Sequence, residues 1–214
     1  MAVNILDYPF DAALILQKKR AIRRELLAKE GLIPKKVAVL SGVTVGVFND
    51  LLEIFLLANG IRPEFYQGEY ALFYENLVFD DGSLKAFAPD LIYIHTSMRN
   101  IKAWPAPGDT AEEAERAARA EAGRFLQAAK AGLALGCPVI LNNFELPPYR
   151  VMGSREASAP GGRVRYVRRL NTLLAEAADE TPNLHITDLA YRQAHHGMDP
   201  FTDQTPWYGY KYPC

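Results

Sequence analysis

Cysteine is nearly absent. Cys137 and Cys214 are the two in 214 residues, and such a pair builds no disulfide framework. Net charge is nearly absent too: 24 Lys and Arg stand against 25 Asp and Glu, a formal −1. A chain so balanced offers no electrostatic case for nucleic acid or an anionic membrane surface. No apolar run approaches the roughly 20 residues that span a bilayer. The first residues, MAVNILDYPFD, lack the basic stretch and apolar core of a secretory signal, so the cytoplasm is the expected compartment. Phosphate-cradling loops are missing as well: SGVTVG, residues 41–46, has neither the P-loop Lys nor the G-x-G-x-x-G spacing. What is present is globular composition, 49% hydrophobic and 23% charged, with length for one sizeable core or at most two small ones.

The informative stretch is KVAVLSGVTVGVFNDLLEIFLLANG, residues 36–60. Residues 37–40 form an unbroken apolar run long enough for one buried strand. From Val47 the period changes: Val47, Leu51, Ile54, Phe55 and Ala58 fall at helical spacing, and Asn59-Gly60 stops the helix. A strand buried on both faces, a polar turn and an amphipathic helix make the first half of a βαβ unit. Upstream, residues 1–10 read as an arm, and Asp11 caps a helix running to about Glu30. Its polar face is basic (Lys18, Lys19, Arg20, Arg23, Arg24), either a solvated face or a docking surface for an acidic partner. Residues 1–31 thus form arm and basic helix, and residues 32–214 one α/β domain.

Downstream the alternation continues. A second strand is expected over 62–66, helices over 70–79 and 83–87, and a third strand over LIYIHT, followed by His95, Thr96, Ser97, Arg99 and Asn100. Asp109 or Thr110 caps a long helix over 111–135. The fourth strand, 138–141, is followed at once by Asn142, Asn143 and Glu145. Residues 151–162 read as a loop, 163–178 as a helix, and 184–186 as a fifth strand leading to Thr187 and Asp188. Residues 191–214 show no clear period. The expected architecture is a three-layer α/β/α sandwich around a mainly parallel five-stranded sheet in the flavodoxin-like order 2-1-3-4-5.

In such a sheet ligands bind beyond the carboxyl ends of the strands. That rim should carry Ser41, Gly42, Thr44, Thr96, Ser97, Asn100, Asn142, Asn143, Glu145 and Asp188. Polar loop starts also arise from turn chemistry alone. For nucleophilic catalysis the first turn offers Ser41 and Thr44, and the tail offers His195 and His196 as bases. A metal site is weaker: His195 and His196 are adjacent, with only Asp199 and Asp203 nearby in sequence, and none is expected.

Five spaced segments in order, SGVTVGVFNDLLEIFLLANGIRPEFYQGEY, FAPDLIYIHTSMRNI, VILNNFELPPYRVMG, RRLN and WYGYKYP, resemble the amino-terminal region of FkbH-like proteins, within the HAD-IIIC phosphatase-like group. The resemblance covers about residues 32–213 and implies an SGNH-hydrolase-like fold. It further implies a downstream HAD domain with a D-x-D-x-T motif and Mg²⁺, and a role in placing a glyceryl unit on an acyl carrier protein for polyketide assembly. No D-x-D-x-T occurs in these residues, so no cofactor is expected in this chain, and Mg²⁺ is implied only for the HAD part. Active SGNH hydrolases carry a Gly-Asp-Ser turn after the first strand, and here Ser41-Gly42-Val43 stands there. Asn100 matches the oxyanion-hole Asn, whereas residues 203–207 hold no clean Asp-x-x-His.

Two functions follow as expectations. One is a non-hydrolytic binding domain whose partner is the HAD domain, an acyl carrier protein or a small polar ligand at the rim. The other is an SGNH-type esterase or acyltransferase using Thr44 or Ser41 with His195 or His196.

Overall fold

Alternation of short apolar runs with amphipathic helices places every strand in one sheet. A computed structural model describes residues 5–66, 68, 71–79 and 81–212. In chain order the elements are α1 (Ala12–Leu27), β1 (Ile33–Ser41), α2 (Gly46–Ala58), β2 (Ile61–Tyr66), α3 (Phe73–Val78), α4 (Ser83–Phe87), β3 (Leu91–His95) and α5 (Ala111–Leu133). They continue with β4 (Val139–Asn142), α6 (Arg163–Glu180), β5 (Leu184–Thr187), α7 (Leu189–His196), α8 (Met198–Phe201) and α9 (Gln204–Tyr210).

The sheet is parallel throughout, in the expected order β2-β1-β3-β4-β5. The step from β1 to β2 runs opposite to every later step. Right-handed crossovers then place α2 on one face and α3 to α6 on the other. Ala38 and Leu40 of β1, with Ile92 and Ile94 of β3, enter the larger core, which α5 and α6 cover through Phe125, Ala129, Leu170 and Leu174. Gly132 lets α5 lie close on the sheet: a Cβ there would meet Val139 Cγ2 at 3.0 Å. Arg169 of α6 grips Glu115 of α5 with two hydrogen bonds of 2.9 Å. A second cluster holds α1 to α2 through Ile15, Ile22, Leu26, Ile54 and Leu57, and Ile5 and Leu6 of the arm pack on it. No helix among the described residues is long and apolar enough to cross a membrane.

Several boundaries differ from expectation. Between the two candidate caps, Thr110 caps α5 in a capping box with Glu113, while Asp109 accepts the Ala106 N–H at 2.8 Å. The helix expected over 70–79 spans only Phe73–Val78, and Tyr70 lies outside the described residues. The tail, which showed no clear period, holds α7, α8 and α9, each opened by a local device: Asp188 and Asp203 side chains cap α7 and α9, and Gly197 turns between α7 and α8 with φ +91. These helices have four to eight residues, too few for an amphipathic period to show.

The basic face of α1 is partly committed within the chain. Lys19 pairs with Asp50, and Arg23 with Glu53 at 2.8 Å, both carboxylates on α2. Lys18, Arg20 and Arg24 are exposed and form no ion pair among the described residues.

Candidate functional site at the carboxyl rim of the sheet

β1, β3, β4 and β5 all deliver polar groups to one rim, because parallel strands end on the same side. The turn after β1 is tight. Ser41 is buried and its Oγ donates to the Val43 carbonyl at 2.6 Å. The Gly42 N–H donates to the His95 carbonyl at 2.9 Å, continuing the β1–β3 ladder. Val43, in the position the resemblance gives to the nucleophile, is 1% exposed. Thr44 is half-buried, and its N–H donates to the Lys211 carbonyl at 3.1 Å, so the end of the tail lies against this turn.

After β3 the chain makes a single 3₁₀ turn, Met98–Asn100, with Ser97 and Asn100 in a capping box. Asn100 Oδ1 accepts the Ser97 N–H at 2.9 Å, and Nδ2 donates to the Gly42 carbonyl at 2.9 Å. This amide, which the resemblance matches to the oxyanion-hole Asn, is thereby fixed beside the turn after β1. Asn142, fully buried, closes a ring with Thr96: Oδ1 accepts the Thr96 N–H at 2.8 Å, and Nδ2 donates to the Thr96 carbonyl at 2.7 Å. Thr96 Oγ1 is buried without a partner. Both Glu145 oxygens accept the Met98 N–H at 3.2 Å. Burial pushes this carboxyl up to about 7, since desolvation disfavours its charged form.

Asn143 serves β5 and α7. Its Oδ1 accepts the N–H groups of Leu189 and Ala190 at 2.7 and 3.0 Å, and its Nδ2 donates to Asp188 at 2.8 Å. Two further amides do similar work. Asn171 binds both backbone groups of Phe144 at 2.9 and 2.8 Å, and Gln193 both of Leu146 at 2.7 and 2.8 Å. Reasoning from sequence missed their role here, and the RRLN segment was the available signal for Asn171.

Three histidines have distinct settings. His95 is buried, stacked on Phe48 at 5.3 Å, with Nδ1 2.9 Å from the Tyr93 hydroxyl. Burial pulls it down to about 4, so it is neutral near pH 7. His195 and His196 are exposed at the end of α7, their rings 5.2 Å apart. Among the described residues neither imidazole bonds Ser41 or Thr44. The structure therefore assembles Ser41, Gly42, Thr44, Thr96, Ser97, Asn100, Asn142, Asn143 and Glu145 on one rim and leaves the two tail histidines outside its hydrogen-bond network. No group of three or more His, Cys, Asp or Glu side chains suited to a metal ion occurs among the described residues.

Over this platform lies α9. Arg99 Nη2 donates to Gln204 Oε1 at 3.0 Å, and the Arg99 guanidinium lies over the Trp207 ring at 4.3 Å. Lys211 Nζ lies 5.3 Å from the centre of the same ring.

The family described as FkbH, N-terminal domain, matches residues 36–213. The chain belongs to this family. No curated protein matches it. Among solved structures, this FkbH N-terminal domain is similar to the N-terminal part of the protein BF1531 from Bacteroides fragilis, which contains a phosphatase domain and was crystallised with Mg. The two share 17% identity at a TM-score of 0.75, over 91% of this chain and 51% of that one. That likeness shows a shared fold, and this chain spans about half the length of its neighbour. An acetyl xylan esterase, AlAXEase, aligns at 12% identity and a TM-score of 0.44, over 77% of this chain and 82% of that one, too weak to carry an argument.

Proposed function

We propose that this FkbH N-terminal domain is a non-hydrolytic binding domain. It serves a HAD-type phosphatase or glyceryl transferase that loads an acyl carrier protein, and uses its rim and helix α1 to receive partners. The observation that carries the reading is the turn after β1. A buried Val43 stands where the resemblance puts the nucleophile, and the one serine of the turn commits its hydroxyl to the Val43 carbonyl. Acyl transfer through a covalent intermediate needs an activated hydroxyl with a base in reach. Among the described residues no base bonds Ser41, and Thr44 carries a β-branch. Oxyanion donors without a nucleophile leave only a residual rate advantage. A phosphatase-domain neighbour of about twice the length supports the accessory role. On α1 the unpaired cations Lys18, Arg20 and Arg24 offer an acidic carrier protein a contact.

The test is a titration of the protein with a phosphopantetheinylated acyl carrier protein at low and raised salt, beside an assay on a short acyl ester. The expected result is salt-sensitive binding with no ester turnover above buffer. Turnover abolished by Thr44→Val would establish the esterase reading instead.

A further inference from the structure

Arg99 and Lys211, 112 positions apart in the sequence, both lie against one indole. Arg99 lies 4.3 Å and Lys211 5.3 Å from the Trp207 ring, and Lys211 also lies 5.9 Å from the Tyr208 ring. Neither cation has an ion-pair partner among the described residues. Of the carboxylates nearby, Glu145 is buried beneath the 3₁₀ turn on the Met98 N–H, where the Arg99 charge works against the upward push that burial gives it, and Asp203 caps α9 through the Thr205 N–H at 2.9 Å. Two cations held against one indole repel each other, and the ring quadrupole offsets that only in part. The guanidinium is also under-used. Nη2 reaches Gln204, Nε is buried without a partner, and among the described residues no bond engages Nη1. Thr96 Oγ1, three residues earlier and fully buried, is unpartnered as well.

The geometry points to a phosphate-binding site at the rim, in which Arg99 and Lys211 clamp one phosphate group beside Trp207. It deepens the reading of the rim as a binding cleft and rests on it. A phosphate brings negative charge to both cations, and the planar Arg fork matches its oxygens. Lys supplies a point charge on a flexible stem. Lys211 sits in the left-handed region at φ +59, rare for a residue with a side chain, and this turn brings its carbonyl to Thr44 while its ammonium stays with Trp207. The phosphate has two sources in reach, a free phosphomonoester or the phosphodiester of a carrier protein's arm.

The test uses the whole chain. Inorganic phosphate, phosphopantetheine and phosphate-free pantetheine are titrated by calorimetry, followed by the apo and phosphopantetheinylated forms of an acyl carrier protein. The expected result is binding of phosphate and phosphopantetheine but not pantetheine. Affinity should fall by about tenfold or more in Arg99→Gln and in Lys211→Gln, recover partly in Arg99→Lys, and stay unchanged in Lys130→Gln. Lys211 is exposed, so its variant keeps the test valid even if Arg99→Gln unfolds. Tighter binding of the modified carrier over its apo form assigns the diester source, and equal carrier binding assigns the free monoester. Equal affinity for pantetheine and phosphopantetheine, or unchanged affinity in Lys211→Gln, overturns the site. If phosphate fails to bind while the carrier still binds, the clamp is wrong and the accessory reading stands. If neither binds, both fall.

Discussion

Asn100 occupies the volume that a side chain at position 42 would need. A Cβ on Gly42 would lie 2.3 Å from Asn100 Nδ2, the same atom that donates to the Gly42 carbonyl. The Asn side chain is short and anchored by the Ser97 N–H, so it cannot swing clear. Gly42→Ala is expected to cost about 1–3 kcal/mol, as overpacking does. Combining it with Asn100→Ala should cost less than the two single losses together. Urea denaturation of the four proteins measures this, and strict additivity would show that the two positions do not clash.

Two buried titratable groups in the rim oppose each other with pH. Burial raises Glu145 from an ordinary 4.5 to about 7. The fold therefore keeps a proton that the unfolded chain releases, and this contribution is full below about pH 4.5 and lost as pH climbs to 7. Burial lowers His95 from 6.5 to about 4. Its contribution is full above about pH 6.5 and lost as pH falls to 4. Between those limits the slopes oppose, each at most about 1.4 kcal/mol per pH unit. Relative to the parent protein, Glu145→Gln should make stability rise more steeply from pH 4.5 to 6.5, and His95→Gln should make it fall. Denaturation midpoints at three pH values in this window check both signs.

The cations of α1 should separate into two kinds. Arg23 and Glu53 form a partly exposed pair, and a double-mutant cycle is expected to give a coupling of about 0.2–1 kcal/mol that fades with salt. Arg20→Gln with Arg24→Gln should leave stability within about 0.5 kcal/mol while lowering carrier-protein affinity at low salt. Unchanged carrier affinity would remove α1 from the proposed interface.

Phe125 is the centre of the larger core. It is fully buried, stacks with Phe73 at 5.8 Å and meets Phe144 edge-on at 4.9 Å. Phe125→Ala is expected to cost about 3–5 kcal/mol in chemical denaturation. Phe144 also takes the Asn171 hydrogen bonds at the rim, so the same variant should loosen the segment after β4, read as faster amide exchange at Phe144.

The sheet and its order were legible in the sequence because unbroken apolar runs such as 37–40 and 139–141 alternate with helical periods. The rim was legible as a place, since Asn142, Asn143 and Glu145 follow a buried strand directly. Its wiring was not. Asn142 reaches Thr96 across 46 positions, and Arg99 reaches Gln204 across 105, distances over which no local pattern informs. The α1 face looked uniformly basic because its neutralising partners, Asp50 and Glu53, arrive from α2. The short tail helices escaped for want of length, and with them the meeting of Arg99, Trp207 and Lys211.

The account stands on the absence of an attacking hydroxyl beneath the rim. Its direct test is intact-mass spectrometry after exposure of the protein to a fluorophosphonate that labels activated serine and threonine. The expected result is an unmodified mass, because under the proposed reading Val43 replaces the attacking residue and Ser41 is held by a carbonyl. A phosphonyl adduct mapped to Ser41 or Thr44 would contradict it.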